Sequence, residues 1–145
     1  MKTTSTFLVM PTDLNPFGNL FGGTMMSWMD KVAVLCAMEH TGRNCVTLFV
    51  DQIKFVSPVS LMEVVEMEAK IVDEGMTSVL IYVKASKRKT VQAHGELSLV
   101  AESIFKFVAL DENANPTDKW ARRLNDKRKT ILNNHIETSI NSKVS

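Results

Sequence analysis

This sequence has no disulfide framework. Its 145 residues hold two cysteines, Cys36 and Cys45, spaced neither as metal ligands nor as the staples of a secreted domain. They read as small core residues of a protein in a reducing, cytoplasmic setting. There is no excess of charge either: 17 basic and 16 acidic residues leave a net charge of +1, which argues against broad nucleic-acid binding. No apolar run approaches the roughly 20 residues that cross a bilayer, and Phe7 to Pro11 is too short for a secretion signal. The chain is expected to be soluble, with no membrane partner. The three histidines, His40, His94 and His135, are scattered. They form no ligand set, no Ser-His-Asp group can be assembled, and no metal is assigned. Repeats and low-complexity tracts are missing. A single domain of this length buries roughly 68–70% of its unfolded surface without staples.

The stretch that organises the chain is Gly22 to Glu39, GGTMMSWMDKVAVLCAME. Between Thr24 and Met38 its only polar side chains are Thr24, Ser27, Asp30 and Lys31, and a helix without a broad polar face must be covered on most sides. Asp30 sits two turns in, about 10 Å from the helix start, where an unpaired charge is expensive to bury. Ahead of the helix, Asn15-Pro16-Phe17-Gly18-Asn19-Leu20-Phe21-Gly22-Gly23 is turn chemistry running into a helix N-terminus. Free N–H groups and the positive end of the dipole suit a developing negative charge there.

Around this helix the alternation of side chains predicts strands. Thr3 to Met10 is the first, followed by a loop of about a dozen residues, long enough to suggest function. The helix closes near His40-Thr41-Gly42, where glycine suits a C-terminal stop. Four more strands are expected over Cys45 to Val56, Val64 to Asp73, Thr77 to Ser86 and Ser98 to Leu110. Their short links imply antiparallel neighbours. Asp111 onward reads as a linker. Residues 119–145 are expected to form a basic tail outside the 1–118 domain, with a helix over Lys119 to Asn134 and a disordered last ten residues. The fold class is α+β, a curved antiparallel five-stranded sheet wrapped around one long apolar helix. One curved sheet cannot enclose a helix, so the uncovered side and unpaired edges predict a second copy.

Asp30 in this setting is a candidate general base or nucleophile, tuned by desolvation and hydrogen bonds; the plain alternative is an acid leaning to the surface or paired with a neighbour. Gly22 and Gly23 let the helix start close to other backbone, and they also let a substrate carbonyl approach N–H donors. Asn15 is a turn former whose amide could orient a water or a carbonyl. Lys84, Lys87, Arg88 and Lys89 make a basic run that reads as a solvated hairpin loop or as a phosphate contact. The nine methionines, four of them in the helix, read as core filler or as a compliant wall for a flexible chain.

Asp13-Leu14-Asn15-Pro16 with Gly18, Phe21-Gly22-Gly23, Met29-Asp30, Phe55-Val56-Ser57-Pro58-Val59, Gly75-Met76-Thr77-Ser78 and Phe105-Lys106-Phe107-Val108-Ala109 together resemble the hotdog-fold acyl-CoA thioesterases. The likeness is closest to bacterial broad-specificity acyl-CoA hydrolases related to the brain acyl-CoA hydrolase of animals, and it runs from about Phe7 to Asp111. It implies hydrolysis of acyl-CoA to free acid and CoA at a dimer interface, with Asn15 from one chain and Asp30 from the other. By the same likeness Gly22 offers its N–H to the thioester oxygen. The Gly75, Thr77 and Ser78 turn matches a segment near the CoA; with Gly23 of the helix start and Arg88 of the basic run, these residues are the candidate substrate contacts. Coenzyme A is then part of substrate and product, and no separate cofactor is implied. Dimers of this family often assemble further into hexamers, trimers of dimers. Phe21 stands where a related branch carries histidine, which favours the hydrolase branch. Two other readings of the fold are a non-catalytic acyl-CoA sensor, which would carry an added DNA-binding segment, and a hydratase, which would want a histidine near the loop.

Overall fold

A computed structural model describes residues 2–89 and 95–118. The expected basic tail from Lys119, His94 and His135 lie outside the described residues. The elements run β1 (Lys2–Leu8), α1 (Gly22–Thr41), β2 (Asn44–Phe55), β3 (Glu63–Glu74), β4 (Ser78–Lys89) and β5 (Ser98–Leu110), with a single 3-10 turn at Pro11–Asp13. The five strands form one antiparallel sheet in the order β1-β3-β4-β5-β2. The strand before the helix and the strand after it are therefore the two edges. The helix crosses the concave face and touches all five strands.

Periodicity explains the core. Met25, Met29, Val32, Ala33, Cys36 and Ala37 recur at three- and four-residue steps and are buried against inward residues such as Val65, Met67, Ile81, Phe105 and Phe107. Met29 is fully buried, so truncating it to alanine removes transfer energy and leaves a cavity, at a cost of about 2–5 kcal/mol. Gly42 ends the helix at φ 67, with its N–H donating to the Met38 carbonyl at 2.8 Å. That left-handed conformation favours glycine.

Three boundaries differ from the sequence expectation. The fourth strand runs on to Lys89, so Lys87, Arg88 and Lys89 lie in β4 and not in a hairpin loop. Carboxylates across the ladder hold two of them: Arg88 Nε lies 2.8 Å from Glu66 and Lys87 Nζ 3.9 Å from Glu63. The segment read as a linker is a closed turn, in which Asp111 receives the N–H groups of Asn113 and Asn115 and Thr117 N–H donates to Ala109. The first strand stops at Leu8, ahead of the expected Met10, which instead caps the 3-10 turn that opens at Pro11.

The helix is also less enclosed than its composition demands. Met26, Ser27, Lys31, Leu35 and Glu39 are exposed, along with most of β2, including Val46, Leu48, Phe49, Val50 and Phe55. An apolar edge strand open on this scale marks an interaction surface.

Cys36 and Cys45 are free and buried, and burial pushes both thiols above their ordinary pKa. Thiolate is the reactive form. Neither should react with a thiol reagent in the folded protein, and both should react after denaturation. Counting modified thiols before and after unfolding checks this, and rapid labelling of the native protein would contradict the packing.

Candidate functional site

The loop from Val9 to Phe21 is folded rather than slack. Asp13 closes the 3-10 turn by accepting the Met10 N–H at 2.9 Å. Its backbone carbonyl accepts from Phe21 at 2.9 Å, and Leu20 N–H donates to Val59 at 2.7 Å, pinning the helix start against the β2–β3 connection. Within the loop the Asn15 Oδ1 accepts from Phe17 N–H at 2.9 Å and from Asn19 N–H at 3.1 Å. This is the turn-forming role expected of asparagine before proline. It also fixes the amide, directing its two N–H donors away from the turn.

Next to Asn15, α1 begins without a side-chain cap, since Phe21 at the N-cap position offers no acceptor. The N–H groups of the first turn are thus free for an outside acceptor at the positive end of the helix dipole. Of these residues Gly22 lines a cleft of about 350 Å³, together with Asn15, Met25, Phe55, Pro58 and Val100. A Cβ at Gly22 would meet the Phe55 ring at 3.6 Å, an ordinary contact. Gly23 is exposed beside it, with nothing near its own missing Cβ.

Asp30 is not part of that lining. It lies eight residues further along α1, roughly 12 Å at about 1.5 Å per residue. The sequence suggested a buried carboxylate, whereas within one protomer Asp30 is half-buried. It faces the open edge strand, where its Oδ1 accepts the Thr47 hydroxyl at 2.7 Å. Thr47 escaped the sequence reading because the pairing is non-local. The available signal was a single hydroxyl in the apolar run Val46 to Val50.

The other candidates lie elsewhere in the protomer. Gly75, Thr77 and Ser78 form the β3–β4 turn, closed by Gly75 N–H to Ser78 at 3.0 Å. This turn lies at the far end of α1 from Gly22, where His40 Nε2 meets Glu74 at 3.2 Å. Arg88 pairs with Val64 in the ladder, on the sheet face turned away from the helix, and is engaged by Glu66. The structure therefore joins Asn15 with Gly22 and leaves Asp30, the turn and Arg88 apart. Among the described residues no group of histidine, cysteine or carboxylates is arranged to hold a metal. Tyr82, on the outer face, donates to Glu102 at 2.7 Å. That hydrogen bond, reinforced by burial, pushes its phenol up to about 12, too high for proton transfer near neutrality.

Comparison with known proteins adds a family to this geometry. The family model described as Thioesterase superfamily matches residues 17–94. The chain is 36% identical over 115 residues to a protein of Bacillus subtilis named uncharacterized acyl-CoA thioester hydrolase YkhA, covering 79% of this chain. It spans 66% of that relative's length, just under two thirds. It is also 36% identical over 110 residues to the acyl-CoA thioester hydrolase YciA of Escherichia coli, covering 75% of this chain and 83% of YciA. Among solved structures it resembles the hexameric thioesterase y2039 from Yersinia pestis with a TM-score of 0.73 and 32% identity, over 79% of this chain and 91% of that one.

Proposed function

The chain belongs to the thioesterase superfamily, and from that premise we propose that it hydrolyses acyl-CoA to a free acid and coenzyme A. The observation that carries the reading is the uncapped start of α1, opening into a cleft that contains Asn15 and Gly22. A thioester carbonyl entering the cleft accepts the Gly22 N–H, and the Asn15 amide offers a further donor. As the carbonyl becomes tetrahedral its oxygen gains charge beside these fixed dipoles, and one such donor is worth about 2.7–4 kcal/mol in the transition state. Asp30 supplies the attack in one of two ways. It deprotonates a water, or its carboxylate adds to the carbonyl to give an anhydride that water then opens. The departing group is a thiolate, whose parent thiol titrates near about 8.5, so it needs little protonation to leave.

Asp30 is too far from Gly22 of its own chain to attack that carbonyl. A second copy across a two-fold axis, with the helices antiparallel, brings Asp30 of the partner copy toward this chain's Gly22. The open β2 edge and the exposed helix face supply the apolar surface for such a pair. The same antiparallel arrangement carries the partner's Gly75, Thr77 and Ser78 turn toward this end, where with Gly23 it would hold the CoA portion; Arg88, on the opposite face of the sheet, has no place in a site within one dimer. We propose further that three such dimers form a hexamer, the assembly named for the y2039 relative. The two unpaired cysteines suit a reducing compartment such as the cytoplasm.

The test is thiol release from acyl-CoAs of increasing chain length. Catalytic release of CoA is expected. Stoichiometric binding without release would instead favour a sensor. Gly22→Ala adds a sharper check. Gly22 does not adopt a positive φ, and its added methyl meets only ordinary contacts, so alanine should stabilise the fold by about 0.4–1 kcal/mol. The methyl nonetheless intrudes where the carbonyl approaches. Turnover should fall about tenfold or more while Tm holds or rises, and full activity would show that the methyl lies outside the path of the carbonyl.

A further inference from the structure

Phe55 stands beside Gly22 because of an irregularity in β2. Cys45 and Thr47 pair with Ala109 and Phe107 on the helix side of the sheet. Two register shifts follow, one between Thr47 and Phe49 and one between Asp51 and Lys54. The second contains Gln52 at φ 47, a left-handed conformation that a side chain adopts only where its surroundings hold it. Strict alternation from Val50 would turn Gln52 and Lys54 toward the helix and Phe55 outward. The bulge reverses this, so that Phe55 pairs with Ala101 and faces the helix.

The consequence is a ring against the proposed oxyanion donor. Its Cζ lies 3.6 Å, and its Cε1 3.9 Å, from the position of a Cβ on Gly22. Below it the cleft floor of Leu20, Met25, Val59 and Val100 is buried and cannot widen without disturbing the core. The Phe55 ring is 54% exposed, so it forms a wall of the cleft without being part of that core.

We infer that Phe55 sets the width of the acyl channel at the thioester, admitting straight acyl chains and rejecting those branched at the carbon next to the carbonyl. The inference rests on the thioesterase reading. A carbonyl oxygen held about 3 Å from the Gly22 nitrogen brings that carbon under the ring. The ring already stands in ordinary contact with a Cβ position on Gly22, so a methyl added to that carbon has least room on the ring's side.

Butyryl-CoA and isobutyryl-CoA make the test, being isomers that share the CoA portion and differ only in this branch. In Phe55→Ala the isobutyryl-to-butyryl ratio of kcat/KM should rise about tenfold or more over wild type, the discrimination that one methyl group commands in an apolar pocket. Phe55→Leu should fall between the two. Comparing a ratio removes any effect of Phe55 on assembly or on the active fraction. A ratio in Phe55→Ala within twofold of wild type overturns this inference alone. So does a wild type that hydrolyses isobutyryl-CoA as fast as butyryl-CoA. A wild type inert toward every acyl-CoA overturns the thioesterase reading and this inference with it.

Discussion

Asp30→Asn should leave the protein folded and lower acyl-CoA turnover about a hundredfold or more, the usual effect of removing a catalytic base or nucleophile. The amide oxygen of asparagine can still accept the Thr47 hydroxyl that binds Asp30 at 2.7 Å. Stability should therefore change by less than about 1 kcal/mol, as for most substitutions that break no buried contact. Asp30→Ala removes the acceptor and frees Thr47, which is exposed and can turn to water, so its larger loss should again be in activity and not in Tm. Steady-state thiol release and thermal melts, run on the same preparations, separate the two effects. Near wild-type turnover in Asp30→Asn would mean the carboxylate is not part of the chemistry. A collapse in Tm would mean that Asp30 serves the fold.

Composition made Asp30 a carboxylate embedded in an apolar helix, whereas in the protomer it is half-buried and turned to an unpaired edge. The enclosure inferred from an almost wholly apolar helix is incomplete within one chain, where Met26, Ser27, Lys31, Leu35 and Glu39 stay exposed.

The helix itself was legible because its buried residues recur at helical spacing, and Gly42 marked its end. β3 was legible because Val65, Met67 and Ala69 alternate with Glu66, Glu68 and Lys70. The end of β4 was not: Lys87, Arg88 and Lys89 look like a solvated loop until Glu63 and Glu66 appear across the ladder. β2 was the least legible strand. Two bulges change its parity, so no single alternation tells which residues face the helix, and Phe55 could not be assigned to the cleft. Of the candidate site, Asn15 and Gly22 could be read because turn formation and helix initiation are local. Thr47 could not, being 17 residues from its partner Asp30.

The claim that Asn15 and Gly22 of one chain work with Asp30 of another has a direct test in mixed assemblies. Asn15→Ala and Asp30→Ala chains should each be nearly inactive alone. Co-refolding them makes mixed dimers in which one of the two sites has both intact residues and the other has neither, a consequence of two-fold symmetry. Full heterodimer formation should therefore restore roughly half of wild-type activity, and random association of equal amounts about a quarter. Hexamers leave these fractions unchanged if each dimer acts independently. The measurement is thiol release after co-refolding, beside each variant refolded alone, with native mass spectrometry counting the mixed dimers. Recovery to about a quarter is the result a shared site predicts, and no recovery despite abundant mixed dimers would contradict it.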